Sequence, residues 1–219
     1  MPVPALPEAL SLSTAQLAVE VAATLAFALS GLIEGARKRL DAVGVCVVTG
    51  VAAFGGGTLR DVLLDRRPFV WVEHAAWLWA LLALAIAAML FMRARHLRPT
   101  ERAMQWPDAL GLGLFAASGT QIALAAAMPA LVAVLMGVMT ATFGGVLRDI
   151  VCNEIPRAFA DHRPYALCAF VGAWVVVAAQ AVDAPAGLAL AGGAAAATLL
   201  RAAALAFDWR IPAWRTDAD

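Results

Sequence analysis

Charge is what this chain has least of for its length. Only 15% of its 219 residues are Asp, Glu, Lys or Arg, while 63% are hydrophobic; a soluble domain carries about a quarter of the first and roughly half of the second. That balance excludes a soluble globular protein and reads as an integral membrane protein. Lysine is almost missing, Lys38 standing alone among 16 basic residues, and the formal net charge is zero. With the arginines spread between apolar runs, no basic patch exists that would mark a nucleic-acid partner.

Metal, redox and nucleotide chemistry are excluded in the same way. The three cysteines, Cys46, Cys152 and Cys168, lie apart in apolar surroundings with no Cys-x-x-Cys spacing, which predicts buried free thiols. His74, His96 and His162 are as scattered, each in a polar connection. No Gly-x-x-x-x-Gly-Lys-[Ser/Thr] loop is present to cradle ATP, and no His-Glu-x-x-His pair to hold zinc. No cofactor or resident metal is therefore expected. A Thr-Val-Gly-Tyr-Gly filter is also missing, so a potassium path would not be of the tetrameric filter kind. Ser30 and Ser118 have no histidine within an apolar run to activate them, which argues against an intramembrane hydrolase and against an enzyme altogether.

What the chain does have is a duplication. Gly56-Gly57-Thr58-Leu59-Arg60-Asp61-Val62-Leu63 returns as Gly144-Gly145-Val146-Leu147-Arg148-Asp149-Ile150-Val151, displaced by 88 positions (148 minus 60). Without a gap, the same displacement pairs Phe27 with Phe115, Ser30-Gly31 with Ser118-Gly119, Pro68 with Pro156 and His74 with His162. So many matches in one register indicate one ancestral unit copied in tandem.

A spanning helix needs about 20 mostly apolar residues, and seven candidates appear: Ala15 to Gly35, Ala42 to Leu64, Ala75 to Met92, Ala109 to Ala127, Pro129 to Cys152, Tyr165 to Val182 and Ala186 to Phe207. The fold class is thus an all-α membrane protein. The expected organisation is an N-terminal extracytoplasmic segment (1–14), a first three-helix repeat (15–98), a second (103–183), a seventh helix (184–207) and a cytoplasmic tail (208–219). The first span lacks a small-residue cleavage site and is expected to remain in place. Three spans separate equivalent positions, an odd number, so the second repeat is threaded in the opposite sense: the repeats are inverted. Arg37-Lys38-Arg39, Arg93 to Arg102 and Arg157 to Arg163 fall on one side, which the positive-inside rule makes cytoplasmic. This places the N-terminus outside and the C-terminus inside, most simply in a bacterial inner membrane. Gly187, Gly192 and Gly193 in the seventh span suit close packing, within the protomer or between subunits.

Glycines in the second and fifth spans, Gly55-Gly56-Gly57 and Gly144-Gly145, cost about 0.8–1 kcal/mol each relative to Ala in a helix interior. They predict a kink or unwound turn whose freed carbonyls line a path, the alternative being a packing notch. Neighbouring residues on a helix point about 100° apart, so Arg60 and Asp61, like Arg148 and Asp149, are expected to find partners elsewhere. If the helices break, the aspartates sit at the start of a second half-helix, favoured by its dipole, and the arginines bind exposed carbonyls or set a constriction. The bland reading is that the arginines snorkel to the interface and the aspartates merely cap. Other intramembrane polar residues, including Glu20, Thr49, Thr140 and Thr142, read mostly as structural; the duplicated Ser30 and Ser118 are the better candidates. Pore or gating candidates are accordingly Gly55, Gly56, Gly57, Arg60, Asp61, Gly144, Gly145, Arg148, Asp149, Ser30, Ser118, Thr49 and Thr140.

Phe54-Gly55-Gly56-Gly57-Thr58-Leu59-Arg60-Asp61 and Phe143-Gly144-Gly145-Val146-Leu147-Arg148-Asp149, with seven spans in this length, resemble the prokaryotic trimeric intracellular cation (TRIC) channels and their small bacterial relatives. The resemblance covers essentially the whole chain. It implies a homotrimer in membrane lipid, each protomer with its own pore flanked by kinked second and fifth helices, conducting monovalent cations and chiefly potassium. The basic lipid-binding motif of the animal members has no match here. Some bacterial members of the broader family carry the name of glycine transporter, and inverted repeats serve a carrier as naturally as a channel.

Overall fold

The computed structural model describes residues 13–91 and 101–212. The tail beyond residue 212 and the connection around His96 lie outside the described residues. Nine helices and no strand are found among those described: α1 Thr14–Arg37, α2 Ala42–Leu63, α3 Val70–Glu73, α4 Ala76–Phe91, α5 Glu101–Ala125, α6 Ala130–Val151, α7 Arg157–Ala160, α8 Ala166–Ala181 and α9 Ala186–Ala206. Five of them, α1, α2, α5, α6 and α9, are long and apolar enough to cross a membrane. The apolar α4 and α8 have 16 residues each, about 24 Å of helix at 1.5 Å per residue. One-turn helices α3 and α7 precede them inside segments that read as connections.

Local chemistry sets the starts. Ser13 caps α1 by accepting from the Gln16 N–H while the Gln16 side chain accepts from the Ser13 N–H, a reciprocal capping box. Asp41 caps α2 through the Gly44 N–H, and Pro129, lacking an N–H to satisfy, precedes the first turn of α6. The fourth span begins earlier than expected: α5 starts at Glu101, eight residues before Ala109, and carries Pro107 inside it. Polar Glu101, Arg102, Gln105 and Asp108 hid this turn from an apolarity criterion, yet Gln105 and Asp108 are buried.

Helix α1 packs on α2 and α5, and α5 also on α6 and α9; α2 meets α6, and α8 covers α9. The contacts give directions. Ser30 meets Asp108 while Glu20 meets Ser118, so α1 and α5 run antiparallel. Phe27 and Phe115 stack between those points, ring centroids 5.6 Å apart. The α2–α6 crossing repeats the pattern: a Cβ on Gly56 would lie 2.0 Å from the Thr140 carbonyl oxygen, and one on Gly144 would lie 2.4 Å from that of Ala52. Both pairs of residues, 52 with 140 and 56 with 144, keep the displacement of 88.

This corrects the expectation of an unwound turn. Helix α2 runs as one α-helix through Gly55-Gly56-Gly57, and α6 through Gly144-Gly145. Gly56 and Gly144 are missing a side chain because each faces the backbone of the other helix, and only hydrogen lets the two approach so closely. Gly55 faces the tip of Leu147. In α9, Gly193 packs within the protomer against Val176 and the Gly172 carbonyl, whereas Gly187 meets nothing within 4 Å.

Candidate functional site

Because α2 and α6 are continuous, Arg60-Asp61 and Arg148-Asp149 fall in the last turns of their helices, not at the start of a second half-helix. The dipole there disfavours a carboxylate, and the compensation comes from the adjacent arginine. Arg60 Nε donates to Asp61 Oδ1 at 2.9 Å, and Arg148 Nε donates to Asp149 Oδ1 at 2.9 Å. The long guanidinium stem reaches back to its neighbour, which a count of Cβ directions alone does not foresee.

Each arginine also meets a carboxylate on a second helix. Arg60 Nη1 donates to Glu20 Oε1 of α1 at 2.8 Å, and Arg148 Nη1 donates to Asp108 Oδ1 of α5 at 2.5 Å. Glu20 and Asp108 are themselves 88 apart, so the two networks are copies. A serine from the opposite repeat completes each one. Ser118 Oγ donates to Glu20 in the first network; in the second, Ser30 Oγ donates to Asp108 Oδ1 at 3.4 Å and accepts from Arg148 Nη1 at 2.5 Å. None of these residues is more than 4% exposed, which rules out snorkelling for Arg60 and Arg148. Buried charge is tolerable only when paired and hydrogen-bonded.

The networks are separated along α1 by the ten residues from Glu20 to Ser30, about 15 Å of helix, with the Phe27–Phe115 stack between them. Asp61 is further paired with Arg66 at 3.6 Å, and Asp149 Oδ2 accepts the Arg157 N–H at 3.0 Å. Gly57 faces Arg60 Nη2, and Gly145 faces the Tyr165 hydroxyl, Asp108 and Arg148. A cavity of about 20 Å³ adjoins the first network and one of about 10 Å³ the second, each on the scale of a single water.

Thr49 and Thr140 lie elsewhere. Thr140 Oγ1 donates to the Met136 carbonyl at 2.7 Å, and Thr49, fully buried, packs its backbone on Gly31. Both belong to helix crossings. Arg201 does not snorkel either: at 2% exposure it donates to the Pro164 carbonyl at 3.1 Å and lies over the Tyr165 ring, 4.9 Å from its centroid. Glu34, near the end of α1, is fully buried and bonded to Arg37 at 2.6 Å and 2.9 Å. Beyond the end of α6, Glu154 accepts from Lys38, and that ammonium holds its carboxyl below the usual carboxylate range.

Sequence reasoning found the arginines, aspartates and serines but missed Asp108 and Tyr165 and took Glu20 as structural. The signal was present in the register, since Glu20 and Asp108 obey the displacement of 88. A Glu opposite an Asp escapes a search for identical residues.

The glycine transporter family matches this chain twice, over residues 17–94 and again over 105–181. A UPF0126 membrane protein of Vibrio cholerae is 32% identical over 198 residues, 89% of this chain and 80% of that protein. The UPF0126 inner membrane protein YadS of Escherichia coli K12 is 30% identical over 199 residues, 91% of this chain and 96% of that one. Among solved structures, the TRIC trimeric intracellular cation channel orthologue from Rhodobacter sphaeroides superposes with a TM-score of 0.84 at 38% identity, over 90% of this chain and 100% of that one. A structure bearing on conductance through TRIC cation channels gives 0.80 at 29% identity, over 92% and 98%. An apolar chain matched twice by one family model, and folded as TRIC channels fold, is a membrane protein that belongs to the bacterial UPF0126 membrane-protein family.

Proposed function

We propose that this protein is a monovalent cation channel, chiefly for potassium, with one pore per protomer running between α1, α2, α5 and α6. The observation that carries the reading is the pair of matched Arg–carboxylate networks, one at each end of the α1–α5 and α2–α6 crossings. Intramembrane ionisable residues mark ion pathways by default, and here four carboxylates are held by two arginines in ion-paired sets that a passing cation can compete for. The likeness to TRIC cation channels supports the same reading. In it, α1, α2 and α4 form one repeat, α5, α6 and α8 its inverted copy, and α9 is the extra helix. The double family match and the antiparallel α1–α5 packing support that division. All seven longer helices cross the inner membrane, with the N-terminus outside, and three protomers assemble. Any flexing at Gly55-Gly56-Gly57 and Gly144-Gly145 belongs to opening, since the closely apposed helices are continuous.

A second reading is a carrier for a small solute such as glycine, favoured by the name of the matching family. Purified protein in planar bilayers under asymmetric potassium chloride separates the two. A channel gives discrete unitary currents reversing toward the potassium potential; a carrier gives saturable solute exchange with no unitary events.

A further inference from the structure

The duplication makes each network a control for the other, and the two are not equally held. At the Arg148 end every guanidinium nitrogen has a partner: Nε and Nη2 meet Asp149, each at 2.9 Å, and Nη1 meets Asp108 and Ser30. Asp108 is also held from the far side, where the Tyr165 hydroxyl donates to Oδ2 at 2.7 Å. Tyr165 is pinned by Arg201 of α9, stacked on its ring. At the Arg60 end, Nη2 is buried with no hydrogen-bond partner from the protein. The residue matching Tyr165 is Trp77 (165 minus 88), which has no hydroxyl to offer Glu20. A side chain at Gly57 would meet only Arg60 Nη2, at 3.8 Å, whereas one at Gly145 would lie 3.1 Å from the Tyr165 hydroxyl. Arg66 braces the Arg60 end through Asp61.

We propose that Tyr165, held by Arg201, is a positioning residue that keeps the Asp108–Arg148 network shut, so that the Arg60–Glu20 network is the end that opens first. Opening at the Arg60 end separates one carboxylate from a guanidinium that is already one partner short. Opening at the Arg148 end also has to part a phenol from its carboxylate and unstack an arginine. Helix α9 lies along α5 past both networks, and it supplies the difference through one side chain, Arg201, which lies over the Tyr165 ring. Placing this difference on a conducting path rests on the channel reading; the difference in opening itself does not.

The test is thiol labelling of the full chain in detergent with a cationic methanethiosulfonate, read peptide by peptide by mass spectrometry so that the native cysteines do not interfere. The near-isosteric Ser118→Cys reports the Arg60 end and Ser30→Cys the Arg148 end. Labelling of a buried site follows the population of the open form, so Ser118→Cys is expected to react at least about tenfold faster than Ser30→Cys. Adding Tyr165→Phe to Ser30→Cys raises its rate by about tenfold, while Trp77→Phe leaves that of Ser118→Cys within about twofold. Should Tyr165→Phe not fold, Arg201→Lys, which keeps the charge but loses the planar stack, is expected to act in the same direction. Equal rates, a faster Ser30→Cys, no reaction at either position, or indifference of Ser30→Cys to Tyr165→Phe overturns the proposal. Labelling reads opening with or without conduction, so absence of unitary currents would sink the channel reading and leave this result standing.

Discussion

Arg60 and Arg148 each pair with two carboxylates, one beside them in the chain and one on the neighbouring helix. At this scale the energetics are those of buried ion pairs, in which removing one partner strands the other. In soluble proteins that loss costs about 3–5 kcal/mol. Asp108→Asn, which leaves Arg148 short of its interhelical charge, is therefore expected to lower the melting temperature of the detergent-solubilised protein markedly. Asp65→Asn is the control, because that side chain is 96% exposed and Asn tolerates its positive φ of 49°. Equal melting of the two variants would show that the network contributes no stability. The arginines, aspartates and serines were legible in the sequence because they recur as identical residues in one register. Asp108 was not, because the polar first turns of α5 placed it outside an apolar window and its counterpart Glu20 differs in type.

Among the helices, the continuity of α2 and α6 changes what their glycines do. Within one sequence, a glycine that weakens a helix and a glycine that admits another backbone look the same. Only the position of the facing carbonyl separates them, and in both helices that carbonyl belongs to the opposite repeat. Overpacking a close contact typically costs about 1–3 kcal/mol. Gly144→Val is expected to lose at least that much, since its Cβ would fall 2.4 Å from the Ala52 carbonyl oxygen. Gly50→Ala, on the same helix as Gly56 but with nothing within 4 Å, is expected to be neutral or stabilising by up to about 1 kcal/mol through helix propensity. Unfolding in graded denaturing detergent ranks them, and a Gly144→Val no weaker than Gly50→Ala would return these glycines to the role of flexible breaks. The order of the longer helices was readable from apolar runs and punctuation, because Pro129 and the Asp183-Ala184-Pro185 connection stop and start helices by local rules, whereas the one-turn α3 and α7 were not. Interhelical register was not, since it depends on which surfaces meet.

For the whole molecule, the antiparallel packing of α1 with α5 and of α2 with α6 places one network toward each end of the protein. A single protomer thus holds two matched charged networks, which lie in series on the proposed path, and Arg201 of α9 engages Tyr165 at one of them. The assembled form is expected to be a trimer, through apolar faces that remain exposed on the protomer, including Val43 and Val47 of α2 and Leu131 and Leu135 of α6. Chemical cross-linking in mild detergent should produce a ladder that ends at three subunits; a clean monomer would remove the trimer. The low charged fraction and high hydrophobic fraction made the membrane setting readable at once, whereas nothing in a single sequence records which exposed faces meet lipid and which meet another protomer.

Planar-bilayer recording in asymmetric potassium chloride, on the wild-type protein and on Arg60→Gln and Arg148→Gln, tests most directly whether the two networks gate one cation path. Discrete potassium currents whose open probability rises when either arginine is neutralised, and most readily at Arg60, are the expected result. Solute exchange without unitary currents, or currents identical in all three proteins, would contradict it.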